Sequence, residues 1–405
     1  MSGNIGKQFA DYVGDTAISD ALVRWATALD GTISSPSRPH RARGTTAELF
    51  EVAYTEAVTP YRPRPLTRKL FVKVLPVDLD SREPDRHRAA LRNAGEFRRH
   101  LAGQPFRALH LRDGRQLMFQ ELVNGGGKVR TLDELRGDDL VHAYRAVVRA
   151  VVQRWNAAGS PRRKSGQPVE ETNLGAYVTG EMKAVDALTE VLTVAGRFRP
   201  TANDPRRLAA DGRPLPDPLR LFDPTSRHHA QPVSYCAGHS HGDLHGRNVL
   251  VPCSPTGGSL PDDFTLVDLS AYRSRAPLAR DPVFLMLSTV LRFLPQLTGS
   301  DADALAGYLV RPERGRPPTL RGPAAGFAQI IHEEGLAYSR PDRTPGWWMQ
   351  ARLSLLSQSL VCTTYDNLGP DRRRWCFRLA ALALAAIEED DRPVGPNRRP
   401  TSLPG

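Results

Sequence analysis

The chain has 405 residues, a length that suits two domains or one two-lobed unit, and 40% of them are hydrophobic, enough for a sizeable core. Its formal net charge is +11, and the 55 basic residues are arginines apart from Lys7, Lys69, Lys73, Lys128, Lys164 and Lys183. With no aromatic-interleaved basic helix and no zinc-finger spacing, that charge reads as a surface written in arginine, and nucleic acid is not the expected partner.

The opening residues, M-S-G-N-I-G-K-Q, hold no apolar core for a signal peptide, and the longest apolar run, 379–387, is too short to span a bilayer. The four cysteines show no C-x-x-C spacing. A cytoplasmic chain with reduced thiols and no membrane span is expected.

Residues 14–30 carry apolar residues at helical spacing, with Asp15 or Thr16 as the cap. The Ser-, Pro- and Arg-rich stretch 31–43 reads as a loop. L-F-E-V-A-Y-T at 49–55 and L-F-V-K-V-L at 70–75 fit two antiparallel strands, joined through an exposed loop at 59–68. Residues 84–102 form a helix candidate with Ala90, Ala94, Phe97 and Leu101 on one face and Glu96 beside it. A D-G turn at 113–114 separates two short runs, a hairpin signal, and N-G-G-G at 124–127 reads as a hinge. Beyond it, 138–155 and 175–197 are helical, 159–170 is a polar loop, and 198–235 is a long Pro-, Arg- and Asp-rich loop or insertion. Helices are expected around 346–366 and 371–390, followed by a tail of disorder-prone composition.

Lys73 stands inside an otherwise apolar strand of a chain that prefers arginine. An internal ammonium must reach a partner or bear a heavy desolvation cost, unless it snorkels from an edge strand. A compact point charge of this kind suits nucleotide phosphates.

The most informative segment is H-S-H-G-D-L-H-G-R-N-V-L at 239–250, followed by Asp268 in F-T-L-V-D-L. Asp243 lies on a loop before a short apolar strand, Asn248 follows five positions later, and Asp268 ends a second short strand. A carboxylate facing an acceptor hydroxyl and two oxygen ligands for a metal are what phosphoryl transfer from a magnesium nucleotide requires. The rival reading is a zinc cluster of His239, His241, Asp243 and His245, as in metallo-β-lactamase-like hydrolases. Against it, Leu244 separates Asp243 from His245, and only His332 follows as a further histidine. His241 then reads as a structural residue bracing the loop through backbone hydrogen bonds.

The segment resembles the kinase-like small-molecule phosphotransferases, the group that includes aminoglycoside phosphotransferases and choline kinases, which carry H-G-D-x-x-x-x-N. The resemblance implies an α+β, protein-kinase-like two-lobed fold, with a small antiparallel-sheet N-lobe over 36–123 and a larger helical C-lobe over 124–390. An N-terminal helical extension over 1–35 and a disordered tail over 391–405 flank them. It implies ATP and Mg2+ as cofactors and a hydroxyl-bearing small molecule or peptide as acceptor. Carried over by position, Asp243 is the catalytic base, and Asn248 and Asp268 are the magnesium ligands. Lys73 positions the inner phosphates and Glu96 pairs with it. Backbone groups around Glu121 to Val123 meet the adenine edge, R-G-T-T-A at 43–47 covers the phosphates, and Asp281 anchors the catalytic loop. Asp268 is followed by Leu269 and Ser270 where protein kinases have Phe-Gly, which argues against an ordinary protein kinase. The alternative is a catalytically silent, nucleotide-binding module of a bacterial defence or signalling assembly, since fold does not fix function.

Overall fold

The computed structural model describes residues 9–35, 41–43, 48–58, 64–77, 82–156, 168–201, 204, 208, 212–314, 323–338 and 346–390. The stretch 44–47 expected over the phosphates, residues 59–63 of the joining loop 59–68 and the tail from 391 lie outside the described residues. The chain divides into two compact units, Met1–Val147 with His241–Ser274, and Val148–Ser240 with Arg275–Gly405. One is built on an antiparallel sheet and the other on helices, the mixed composition that the sequence implies.

In the first unit the strands are β1 (Gly31–Ser34), β2 (Arg41–Arg43), β3 (Glu48–Glu56), β4 (Leu66–Leu75), β5 (Leu109–His110) and β6 (Gln116–Glu121). They run in the order β1-β3-β4-β6-β5, with β2 also on β3. The loop expected over 31–43 is thus partly strand. Thr32 and Ile33 pair with Thr55 and Tyr54, and a paired backbone outweighs the local Ser-Pro-Arg composition.

Side chains alternate across β4, and Leu70, Val72 and Val74 face a core shared with Phe50, Val52, Tyr54 and Phe119. The helix Thr16–Ala28, capped by the Asp15 carboxylate, adds Ile18, Leu22 and Ala26 to that core. Trp25 stacks on Phe119 with ring centroids 4.3 Å apart, so this helix is part of the unit's core.

The other face of β4 meets the helix Glu83–Asn93. The single helix expected over 84–102 breaks here. Gly95, at φ +53°, ends it, and a 3-10 segment, Gly95–His100, continues the chain. Its expected apolar face is buried, with Ala90, Ala94, Phe97 and Leu101 all 5% exposed or less. A second, three-stranded sheet of Val129–Thr131, Val249–Pro252 and Thr265–Leu266 carries the motif loop.

The second unit is mainly helical. Trp347–Cys362 is buried nearly all round and packs on Arg280–Phe293, Gly369–Asp390 and Leu174–Ala184. Two expected helices are interrupted. The one over 138–155 passes from α (Gly137–Arg149) to π (Ala150–Trp155), and the one over 175–197 breaks at Asp186, φ +53°. The stretch taken as loop at 198–235 ends in the first residues of a strand, Pro232–Ser240, paired with Val169–Asn173.

Candidate active site

Alternation along β4 sends Lys73 to the face opposite the Leu70–Val72–Val74 core. Its Nζ donates to Glu83 Oε1 at 2.6 Å and lies 3.4 Å from Asp268 Oδ1. Burial acts to strip the proton from this ammonium, but the carboxylates of Glu83 and Asp268 outweigh it and raise its pKa. Lys73 is therefore a fixed positive charge. Burial also raises the Glu83 pKa, against the pull of Lys73.

The partner that sequence reasoning assigned, Glu96, is not the one found. Glu96 sits exposed in the 3-10 segment after the Gly95 break, whereas Glu83 opens the helix that crosses β4. Its sequence signal was Glu-Pro: proline inside the first turn marks a helix start, and an acid suits that end of the helix.

Asp268 lies two residues beyond the strand Thr265–Leu266, in the left-handed region, φ +59° and ψ +65°. That conformation is uncommon for a non-glycine residue, though tolerated by Asp. Burial raises its pKa, but Lys73, a hydrogen bond from Ser270 and His241 more than offset this, and the carboxylate is held below its ordinary range. Arg86 of the helix Glu83–Asn93 donates to the Ser270 carbonyl at 2.7 Å, fixing the chain just beyond Asp268.

His241 is fully buried and spans the loop. Its Nε2 donates to the Val267 carbonyl at 2.8 Å, and its Nδ1 accepts the Asp243 backbone N–H at 3.4 Å. Both ring nitrogens are thus turned to backbone, and among the described residues no three His, Cys, Asp or Glu side chains form a metal-binding group. The zinc-cluster reading has no ligand set here.

Asn248 donates through Nδ2 to the Asp243 carbonyl at 2.9 Å, and its own carbonyl accepts the Val267 N–H at 3.0 Å. The Asp243 side chain is 44% exposed, and its Oδ2 lies 3.7 Å from His245 Nε2. Burial lowers the His245 pKa against the opposing pull of Asp243, so the imidazole is neutral near pH 7.

Two glycines are required by this packing. Gly242 has φ +87°, and a Cβ there would fall 2.0 Å from the Ala271 carbonyl oxygen. A Cβ on Gly246 would fall 2.0 Å from Asp133 Oδ1.

Elsewhere, Glu121 ends β6 with its N–H given to the Gly103 carbonyl at 2.8 Å, so that donor is already used. Val123 opens the 3-10 turn Val123–Gly126, in which Asn124 and Gly125 have positive φ. Asp281 is 1% exposed in the second unit and accepts from Ser240 Oγ at 2.8 Å, immediately before the loop in sequence. Behind Lys73, His87 bonds the Ala102 carbonyl at 2.7 Å and is driven by burial down to about 4, hence neutral.

Asn248 and Asp268 offer hard oxygen atoms, and Asp268 stays ionised. That donor set fits Mg2+, which binds through one or two carboxylates together with phosphates and water.

No family model matches the chain, and no curated protein matches it. Solved structures do. A thermostable mutant of the aminoglycoside phosphotransferase APH(4)-Ia, in its apo form, aligns over 92% of this chain and 99% of its own, at 11% identity and a TM-score of 0.39. A glucosamine kinase aligns over 89% and 96%, at 13% identity and a TM-score of 0.38. A GDP complex of a mutant aminoglycoside 2'-phosphotransferase aligns over 88% and 92%, at 12% identity and a TM-score of 0.36.

Proposed function

We propose that the chain is an ATP- and magnesium-dependent phosphotransferase acting on an alcohol hydroxyl of a small molecule or peptide. The observation that carries this reading is one connected set of contacts. Lys73 touches Asp268, the neighbouring Val267 is bonded by both His241 and Asn248, and those two bond the backbone of Asp243.

Asp243, accessible and next to a neutral imidazole, accepts the proton of the acceptor hydroxyl as the hydroxyl oxygen attacks the γ-phosphorus and the bond from that phosphorus to the β–γ bridging oxygen breaks, releasing ADP. Lys73, held by Glu83, orients the phosphates through its fixed charge. Asn248 and Asp268 would hold Mg2+, which when bound neutralises charge on the β- and γ-phosphates. The αL backbone of Asp268 and the bond from Asn248 to the Asp243 carbonyl limit how far these groups can drift, so little reorganisation accompanies the reaction.

In an acceptor screen read by mass spectrometry, Asp243→Asn lowers turnover by about 10²–10⁴-fold, the usual contribution of a general base, and leaves nucleotide affinity within a few-fold. Calorimetry is the independent check on the metal pair, and a wild-type chain that binds no magnesium ATP would refute it. Nucleotide binding with no turnover on any acceptor would favour the silent module.

A further inference from the structure

The second unit holds a large pocket that the phosphotransfer reading does not use. Its volume is about 880 Å³, within the range typical of small-molecule sites. Apolar walls come from Phe198, Leu215, Leu294, Leu297, Trp375 and Phe377. Leu294 follows the last residue of the helix Arg280–Phe293, and Asp281 is at its start. At 1.5 Å per residue the two ends are about 20 Å apart, so the pocket is no part of the Ser240–Asp281 contact.

Three features define what it takes. Its walls are stiff. Pro200, Pro214, Pro216, Pro295 and Pro370 line it, each with φ fixed by its ring, and the Trp375 indole N–H donates to the Ala302 carbonyl at 2.9 Å, tying Gly299–Val310 to Gly369–Asp390. Its rings are oriented, since the Arg373 guanidinium lies 4.9 Å from the Phe198 centroid. Its charge is balanced, because the only charged residues among its lining are four arginines and four aspartates. Arg199 pairs with Asp217 at 2.9 Å, Arg374 with Asp371 at 2.8 Å and Arg378 with Asp303 at 3.1 Å, while Arg372 is spent on the carbonyls of Leu368 and Asn367. An ionic ligand would have to compete with these contacts, whereas an uncharged ring system gains apolar burial without doing so.

We infer that this pocket, whose lining lies wholly within the helical unit, is a further ligand site for an uncharged, ring-bearing small molecule. Nile red, a neutral solvatochromic dye, titrated into the full chain tests it. One dye binds per chain, and the pocket-filling variants Ala302→Phe and Leu297→Trp each raise its Kd at least tenfold while keeping the thermal midpoint. In the wild type the dye also slows amide exchange in 299–310 and 369–378, a readout that needs no variant. The inference is overturned by a wild type that fails to bind, by a folded variant that binds as the wild type does, by unchanged exchange in those helices, or by tighter binding of the anionic dye anilinonaphthalene sulfonate.

Discussion

Each unit buries a cation against carboxylates, and the two clusters are built to opposite ends. In the helical unit, Arg280 Nε meets Glu181 Oε2 at 2.8 Å, with side chains 1% and 4% exposed. Gln358 also reaches Glu181, and Asp281 lies 3.8 Å from Arg280 while accepting from Ser240. Every charge there is enclosed. In the sheet unit, Lys73 and Glu83 are each 10% exposed, but the third member, Asp268, is 40% exposed. A rigid guanidinium fork in the first cluster fixes structure, whereas a flexible ammonium with one partner at the surface can exchange that partner for a ligand. Burial of an ion pair is therefore not itself a mark of function.

The largest stability effect should fall on the enclosed cluster. Arg280→Met strands the Glu181 charge and costs about 3–5 kcal/mol, read from urea unfolding. Lys73→Met costs less, about 1–3 kcal/mol, because Asp268 can turn to water and Glu83, whose pKa burial already raises, can take up a proton, yet on the proposed function it weakens magnesium-nucleotide binding, which Arg280→Met leaves unchanged in the folded fraction. Equal destabilisation by the two changes would erase the distinction.

A pH effect of similar size comes from His87, packed behind Lys73. Its folded pKa is lowered from 6.5 to about 4, chiefly by burial. Between those values the unfolded chain binds a proton that the folded chain refuses, so stability is complete above pH 6.5 and is lost as the pH falls toward 4. The full loss is about 3 kcal/mol, and below the folded value it levels off. Urea midpoints across this range should lose the His87 share of the slope in His87→Gln. An unchanged slope would show that the ring is already charged in the folded state.

These contrasts bear on what the sequence could reveal. That Asp243, Asn248 and Asp268 belong to one connected segment was legible because it shows as spacing along a short loop and two short strands, and local spacing survives in one dimension. Lys73 was legible because a charge in an apolar strand is anomalous. The pairing of Lys73 with Glu83 was not. It depends on where a helix begins and how it crosses β4, and the periodicity of 84–102 concealed the break at Gly95. The strand Gly31–Ser34 was hidden for a similar reason, since its stability comes from β3 across the sheet and not from its own residues. The buried cluster around Arg280 joins residues about a hundred positions apart, and no pattern in either segment announces it.

The smallest predicted effect is the sharpest test of the Lys73 partner. Glu83→Gln keeps the size of the side chain and removes one charge from a 2.6 Å contact, so Lys73 is drawn toward Asp268 alone. On the proposed function magnesium-nucleotide affinity should fall several-fold, because the ammonium and the carboxylate proposed to hold the metal now neutralise one another. Glu96→Gln, on an exposed 3-10 turn, should change stability by less than about 0.5 kcal/mol and leave that affinity as it was. The opposite ranking, with Glu96→Gln the more damaging, would mean that the chain rearranges to bring the later glutamate to the lysine, and would return the assignment that the resemblance implied.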